Sequence, residues 1–198
     1  MPLLLVEGPT QAAVSLEEAK LHLRVDDDEE DALIAGQLVR AHMACEDFQG
    51  RAYGRRTYEL SLHSWPGRRE IRLPMPPLVE VESIKYVTAD SAEHTLDPAS
   101  YLVDARSEPG RIVLRNGYAW PQEQLREANG VVIRYVAGYE HIPAHLQTFG
   151  AAVLLTLGHL YEHRENVLVV RTATVAPLPR GAQSLLYPHR VFGVVDIK

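Results

Sequence analysis

"DALIAGQLVRAHMACEDFQGRAYGRRTYELSLHSW", residues 31–65, changes its apolar period half-way along. In the first half Ile34, Leu38, Ala41, Cys45 and Phe48 recur at steps of four, three, four and three, which lays one apolar stripe along a long helix. Gly50 stands where a left-handed C-cap belongs. From Tyr58 the period is two, the signature of a half-buried strand. A helical segment therefore hands over directly to a β segment, and the fold class follows from what lies on either side of that junction.

Upstream, Ser15-Leu16-Glu17-Glu18 matches the capping box, in which a serine hydroxyl and a glutamate three residues on satisfy free amides at a helix start. A short helix through about Arg24 is expected. Six acids, Asp26 through Asp31, then precede the long helix. Counted as a calcium loop, Asp26, Asp28 and Glu30 fill the first, third and fifth positions, but Asp31 stands where glycine is needed and Gln37 where the bidentate glutamate belongs. The run reads instead as a helix start, with carboxylates favoured by the positive end of the helix dipole.

Downstream, "REIRLP", "LVEVESIKYV", "GRIVLR" and "GVVIRYVAGY" alternate as residues 57–65 do, separated by turn clusters at Trp65-Pro66-Gly67, Ala89-Asp90-Ser91, Glu108-Pro109-Gly110 and Ala128-Asn129-Gly130. This predicts a β module of about six strands. Pro74-Met75-Pro76-Pro77 lies between two of them and reads as an edge or turn rather than a PxxP ligand. The helical period returns with Pro143 at a first helical position, and Leu146, Phe149, Gly150, Val153, Leu154, Leu157 and Leu160 form the apolar face of a helix to about Glu165. Residues 166–181 read as an extended arm, followed by a short "AQSLLYPHR" helix and the tail "VFGVVDIK". The expected architecture is α+β: a helical bundle of two N-terminal helices plus one long central helix, carrying an inserted antiparallel β-sandwich-like module and an extended C-terminal tail. Residues 1–54 and 141–198 form the helical domain in this reading, and 55–140 the inserted β module.

The chain has 198 residues, 46% of them hydrophobic, enough for a proper core. Its single cysteine, Cys45, excludes an intrachain disulfide and, within the apolar stripe, reads as a buried structural thiol. No signal peptide is expected, and no apolar stretch nears the roughly 20 residues of a membrane span. A protein of a reducing cytoplasm is expected. The formal charge of −6 has the wrong sign for a surface that grips nucleic-acid phosphates. The one basic cluster, Arg51, Arg55, Arg56, Arg68 and Arg69, flanks glycines and reads as solvated turns.

One catalytic lookalike stands out. His159-Leu160-Tyr161-Glu162-His163 fits the HxxEH signature of inverted zinc metalloproteases, with two histidines one helical turn apart and Glu162 placed to handle a water proton. A zinc site needs a third ligand, and the acids after His163, Glu165 and Asp196, lack the expected context. A surface or interface histidine pair is the preferred reading, and His141 with His145 is a weaker pair still. There is no phosphate loop, no GxGxxG after a strand and no GxSxG elbow. Neither an enzyme nor a bound cofactor or metal is expected.

The ordered string of motifs is more informative. "SLEEAKLHLRVDDDEEDALI" at 15–34, "WPGRREIRLPMPPLVEVESIKYV" at 65–87, "TLDPASYLVD" at 95–104, "EPGRIVLRNGYAWP" at 108–121, "VIRYVAGY" at 132–139, "LYEHREN" at 160–166 and "LLYPHRV" at 185–191 resemble, in order and spacing, the head–tail connector (adaptor) proteins of long-tailed bacteriophages and gene transfer agents. In many such relatives an amide residue stands where this chain has His163. The resemblance implies a structural virion protein of the neck, present in the host cytoplasm during assembly. It forms a ring of typically twelve copies between the portal protein and a neck, stopper or tail-completion protein. Double-stranded DNA passes through that ring without sequence-specific binding, and no membrane is involved. The family's C-terminal segment implies portal contacts at Tyr187, Arg190, Val191, Phe192, Val194 and Val195; the other reading of this end is that it packs back on its own domain. Two alternatives remain: a small zinc-dependent hydrolase using His159, Glu162 and His163, and a generic ligand-binding β module.

Overall fold

A computed structural model describes residues 2–8, 12–163 and 178–192. The chain is α+β and folds as two compact units.

The helical unit comprises Ala12–Tyr53 and His141–Arg190. Its elements are α1 (Leu16–Leu23), α2 (Asp31–Gln49), α3 (Thr148–Glu162) and α4 (Arg180–Leu186), with single 3-10 turns at Ala144–Leu146 and Tyr187–His189. α1 opens on the full capping box: the Glu18 amide donates to the Ser15 hydroxyl at 3.1 Å, and the Ser15 amide donates to the Glu18 carboxylate at 2.8 Å. α1 closes at Arg24 and α2 at Gly50, both left-handed, with φ 58° and 66°. Pro143 does not begin a helix; its extended ψ of 149° makes it the cap of the 3-10 turn, and α3 starts five residues later.

The core of this unit joins Ile34, Ala41 and Cys45 of α2 to Phe149, Val153 and Leu157 of α3 and to Ala182 and Leu186 of α4, all buried. Each large side chain so buried contributes about 1.5–3 kcal/mol. The Cys45 thiol lies 3.5 Å from the Thr156 hydroxyl, and burial pushes its pKa up to about 11. It is an inert structural thiol.

The other unit holds Gly54–Glu140, the N-terminal strand, and Val191 with Phe192. Its strands are β1 (Leu3–Glu7), β2 (Arg56–Leu62), β3 (Glu70–Arg72), β4 (Leu78–Val87), β5 (Glu93–Thr95), β6 (Tyr101–Asp104), β7 (Arg111–Leu114) and β8 (Val131–Ala137). A five-stranded antiparallel sheet runs β1-β2-β8-β4-β5, and a three-stranded one runs β3-β7-β6. Leu60, Ile133 and Ile84, cross-strand partners in the larger sheet, are fully buried, as are Ile71 and Ile112 in the smaller. A Cβ on Gly110, just before β7, would meet the Leu78 Cβ of β4 at 2.3 Å, so only glycine fits there. Residues 74–76 form a bend between β3 and β4, in line with the turn reading of the proline cluster.

β1, β5 and β6 are strands beyond the alternating segments read from the sequence. The alternation rule has no purchase on them, because β1 is apolar at four positions in a row, and β5 is a three-residue strand exposed throughout. β1 also takes Leu3–Glu7 out of the helical part to which the sequence reading assigned them.

Candidate assembly surface

The C-terminal segment is positioned by the last turn of α2. The Gln49 amide donates to the Leu186 carbonyl at 2.7 Å and its oxygen accepts from the Tyr53 hydroxyl at 2.5 Å; both side chains are buried. The Tyr53 ring stacks on Phe149 of α3, centroids 3.4 Å apart and 8° from parallel, and its amide donates to buried Glu46 at 2.7 Å. These contacts tie α4 to the bundle and so fix the 3-10 turn that follows it.

From that turn Tyr187 projects with 59% of its surface exposed, and Phe192 follows with 63%. Arg190 lies with its guanidinium 4.8 Å from the Phe48 ring centroid, a cation–π contact that turns this charge toward α2. Val191 is half-buried. Of the residues implied as portal contacts, Tyr187, Arg190, Val191 and Phe192 are thus placed, and Val194 and Val195 lie outside the described residues.

The acidic run occupies the turn between α1 and α2. Only Asp31 lies in the first turn of α2; Glu30 is its N-cap residue and makes no side-chain cap bond. Lys20 bridges Asp28 at 2.6 Å and Asp31 at 2.7 Å, and the Tyr161 hydroxyl of α3 donates to Glu30. The bond from Lys20 holds the Asp28 carboxyl below its ordinary range. Asp26, Asp27 and Glu29 remain as exposed carboxylates at one corner.

The HxxEH residues do not share a helix. α3 ends at Glu162, and His163 is its C-cap with φ −111° and ψ 60°. Its Nδ1 lies 3.0 Å from the His159 carbonyl oxygen, and the two imidazole centroids are 4.5 Å apart. Glu165 and Asp196 lie outside the described residues. Among the described residues no three His, Cys, Asp or Glu side chains cluster as a metal site, and no helix is long and apolar enough to cross a membrane.

The basic cluster is solvated only in part: Arg68 and Arg69 are exposed in the bend before β3, and Arg55 is half-buried. Arg51 and Arg56 are buried, and Arg56 donates to the Gly54 carbonyl at 3.1 Å. Arg69 donates to the Leu114 and Arg115 carbonyls at 3.2 and 2.6 Å, and Arg55 pairs with Glu80 at 3.2 Å. A guanidinium fork can bind two carbonyls at once, and Arg69 in this way ties the bend before β3 to the end of β7. In the same unit a cleft of about 430 Å³ is lined by His63, Trp65, Trp120, Glu123 and Arg126, the two indoles stacked at 4.9 Å.

Sequence reasoning missed the exposed apolar surfaces. Leu3, Leu4, Leu5 and Val6 of β1 are exposed, as are Val39 and Met43 of α2 and Leu21 of α1. For β1 the signal is the uninterrupted apolar run itself.

Residues 13–74 match the family model of phage gp6-like head-tail connector proteins. No curated protein matches the chain. Among solved structures, a chain from the neck of an empty GTA (gene transfer agent) particle computed with C6 symmetry is 25% identical, with a TM-score of 0.75 over 99% of this chain and 98% of that one. A chain from the virion of a native gene transfer agent particle gives 23% identity and a TM-score of 0.74, and one from the neck of a native GTA particle computed with C12 symmetry gives 23% and 0.73, each over 99% of this chain and 98% of the other. Residues 13–74 thus resemble the phage gp6-like head-tail connector family in sequence, and the chain as a whole is similar in fold to proteins from gene transfer agent particles, two of them from the neck.

Proposed function

We propose that the protein is a head–tail connector of the virion neck, a non-enzymatic subunit that joins identical copies in a ring beneath the portal. The observation that carries this reading is the likeness over 99% of the chain to a protein of a GTA neck, joined to the connector family match at residues 13–74, from α1 to β3. Twelve copies are the expected number, in keeping with the C12 symmetry of one similar neck. Exposed Tyr187 and Arg190 at the end of the helical unit meet the portal in this reading, and Val191, Phe192, Val194 and Val195 of the C-terminal segment are proposed as further portal contacts. The two sheets of the β unit pack in sandwich fashion in this reading.

The acidic corner has a role in this assembly. Asp26, Asp27 and Glu29, repeated around a ring and turned to the channel, would repel DNA phosphates within a Debye length of about 8–10 Å and keep the passing duplex from sticking. Lysines at the three positions should slow DNA ejection, and unaltered ejection would remove the corner from this role. The reading as a whole is tested by electron microscopy of the purified chain mixed with its portal. Closed rings of uniform size seated on the portal are expected; monomers that ignore it would overturn the connector reading and leave a ligand-binding module.

A further inference from the structure

Resting on that ring reading, we infer that the outer edge of β1 is a contact between neighbouring copies, formed when each copy covers the next one's Leu3–Val6. β1 ends the five-stranded sheet, so on its outer side no strand of the described residues meets its backbone groups. Leu3 pairs with Leu60 and Leu5 with Tyr58. They therefore prolong the buried rows of the core face, because paired residues share a face. Yet Leu3 and Leu5 stay 37% and 42% exposed, and Leu4, opposite Glu59 on the other face, is 60% exposed. The guards of this edge strand, Pro2 before it and the register shift between Leu5 and Glu7, lie at its ends, which leaves Leu3–Leu5, apolar on both faces, open to a neighbouring chain.

The occupant follows from charge and symmetry. Copies carrying −6 each repel one another wherever carboxylates meet, so side-by-side contact requires uncharged surface. Leu3–Val6 is four exposed large apolar residues in a row, whereas α2 exposes the pair Val39 and Met43 with the charged Arg40 beside it. A cyclic ring brings two different faces of each subunit together at every interface, so a face need not match itself to be covered.

The test places p-benzoylphenylalanine at position 4 of the full chain, and at exposed position 118 as a control, and irradiates the protein seated on its portal. A product of twice the chain mass from position 4 is expected, and little from position 118. Rings that form without this product, or a product joining position 4 to the portal, would overturn the inference and leave the ring standing. Failure of the unsubstituted chain to form rings would overturn the connector reading first. In parallel, Leu4→Glu should raise the concentration for half-assembly roughly tenfold or more, the value expected for losing one buried leucine at an interface, with thermal unfolding unchanged. Assembly at the unsubstituted chain's concentration would refute the contact.

Discussion

Gln49→Leu is expected to loosen α4 from the bundle. Leucine nearly preserves the volume of glutamine, so the cost is chemical rather than a cavity. The substitution removes the donor to the buried Leu186 carbonyl, 2.7 Å away, and the acceptor of the Tyr53 hydroxyl, 2.5 Å away. A buried polar group deprived of its partner costs about 1–3 kcal/mol, and two together about 2–6 kcal/mol. Tyr53→Phe alone removes one bond while keeping the stack on Phe149, and should cost about 1 kcal/mol. Added to Gln49→Leu it should cost much less, because the hydroxyl it deletes has already lost that acceptor; a coupling of about 1 kcal/mol is expected. Urea unfolding gives the three free energies, and amide exchange across Ala182–Leu186 locates the loss. Since the chain has two units, the exchange data decide if a single transition is not seen. A Gln49→Leu cost below about 0.5 kcal/mol, or strictly additive variants, would refute the reasoning.

Three further outcomes are expected. Gly138 has φ 109° and its Cβ would fall 2.2 Å from the Gly54 carbonyl oxygen, so Gly138→Ala should cost about 3 kcal/mol or more in thermal unfolding; a loss under about 1 kcal/mol would contradict that strain. Asp104 accepts from the Ser107 hydroxyl at 2.7 Å and from Arg111 at 2.9 Å, which lower its pKa from 3.8 to about 2. Its stabilising effect is therefore full above the unfolded value and lost as pH falls through about 2; Asp104→Asn should flatten the stability profile between those limits, and an unchanged slope would refute the pairing. Elemental analysis should find no stoichiometric zinc in the purified protein, whereas one zinc per chain that disappears in His159→Ala would revive the hydrolase.

The parts legible in the sequence are those whose cause is local. The capping box at Ser15 and Glu18, the left-handed stop at Gly50 and the alternation of Ile84–Val87 in β4 and Val131–Tyr135 in β8 depend on residues a few positions apart and are present as read, while two register shifts break the alternation earlier in β4. What escaped depends on partners far away in the chain. Gln37, His42, Glu46 and Gln49 are polar letters in α2, which a periodicity rule turns outward, yet all four are buried. They face inward because the bundle satisfies them: His42 Nε2 accepts the Ala13 amide at 3.3 Å, Glu46 the Tyr53 amide, and Gln37 donates to the Leu160 carbonyl at 3.3 Å. A polar residue enters a core when it finds its hydrogen-bond partner there, and no local pattern encodes a partner more than a hundred residues away, as Leu160 is for Gln37.

The candidate surface divides in the same way. The aromatic character of Tyr187 and Phe192 can be read from the letters, but the engagement of Arg190 with Phe48 cannot, since it depends on how α4 docks on α2. That engagement alters the expected portal contact. A guanidinium held over a ring is partly desolvated before any partner arrives and has given up part of its freedom. Arg190 thus holds its positive charge in a fixed place near exposed Tyr187, and a partner that met it there would cost it less entropy than it would cost a free arginine. For the acidic run the structure makes the opposite correction: Lys20 and Tyr161 tie down Asp28, Asp31 and Glu30, leaving half of the acids to act outward. Local compensation, rather than the length of the run, sets how much charge the corner offers a partner.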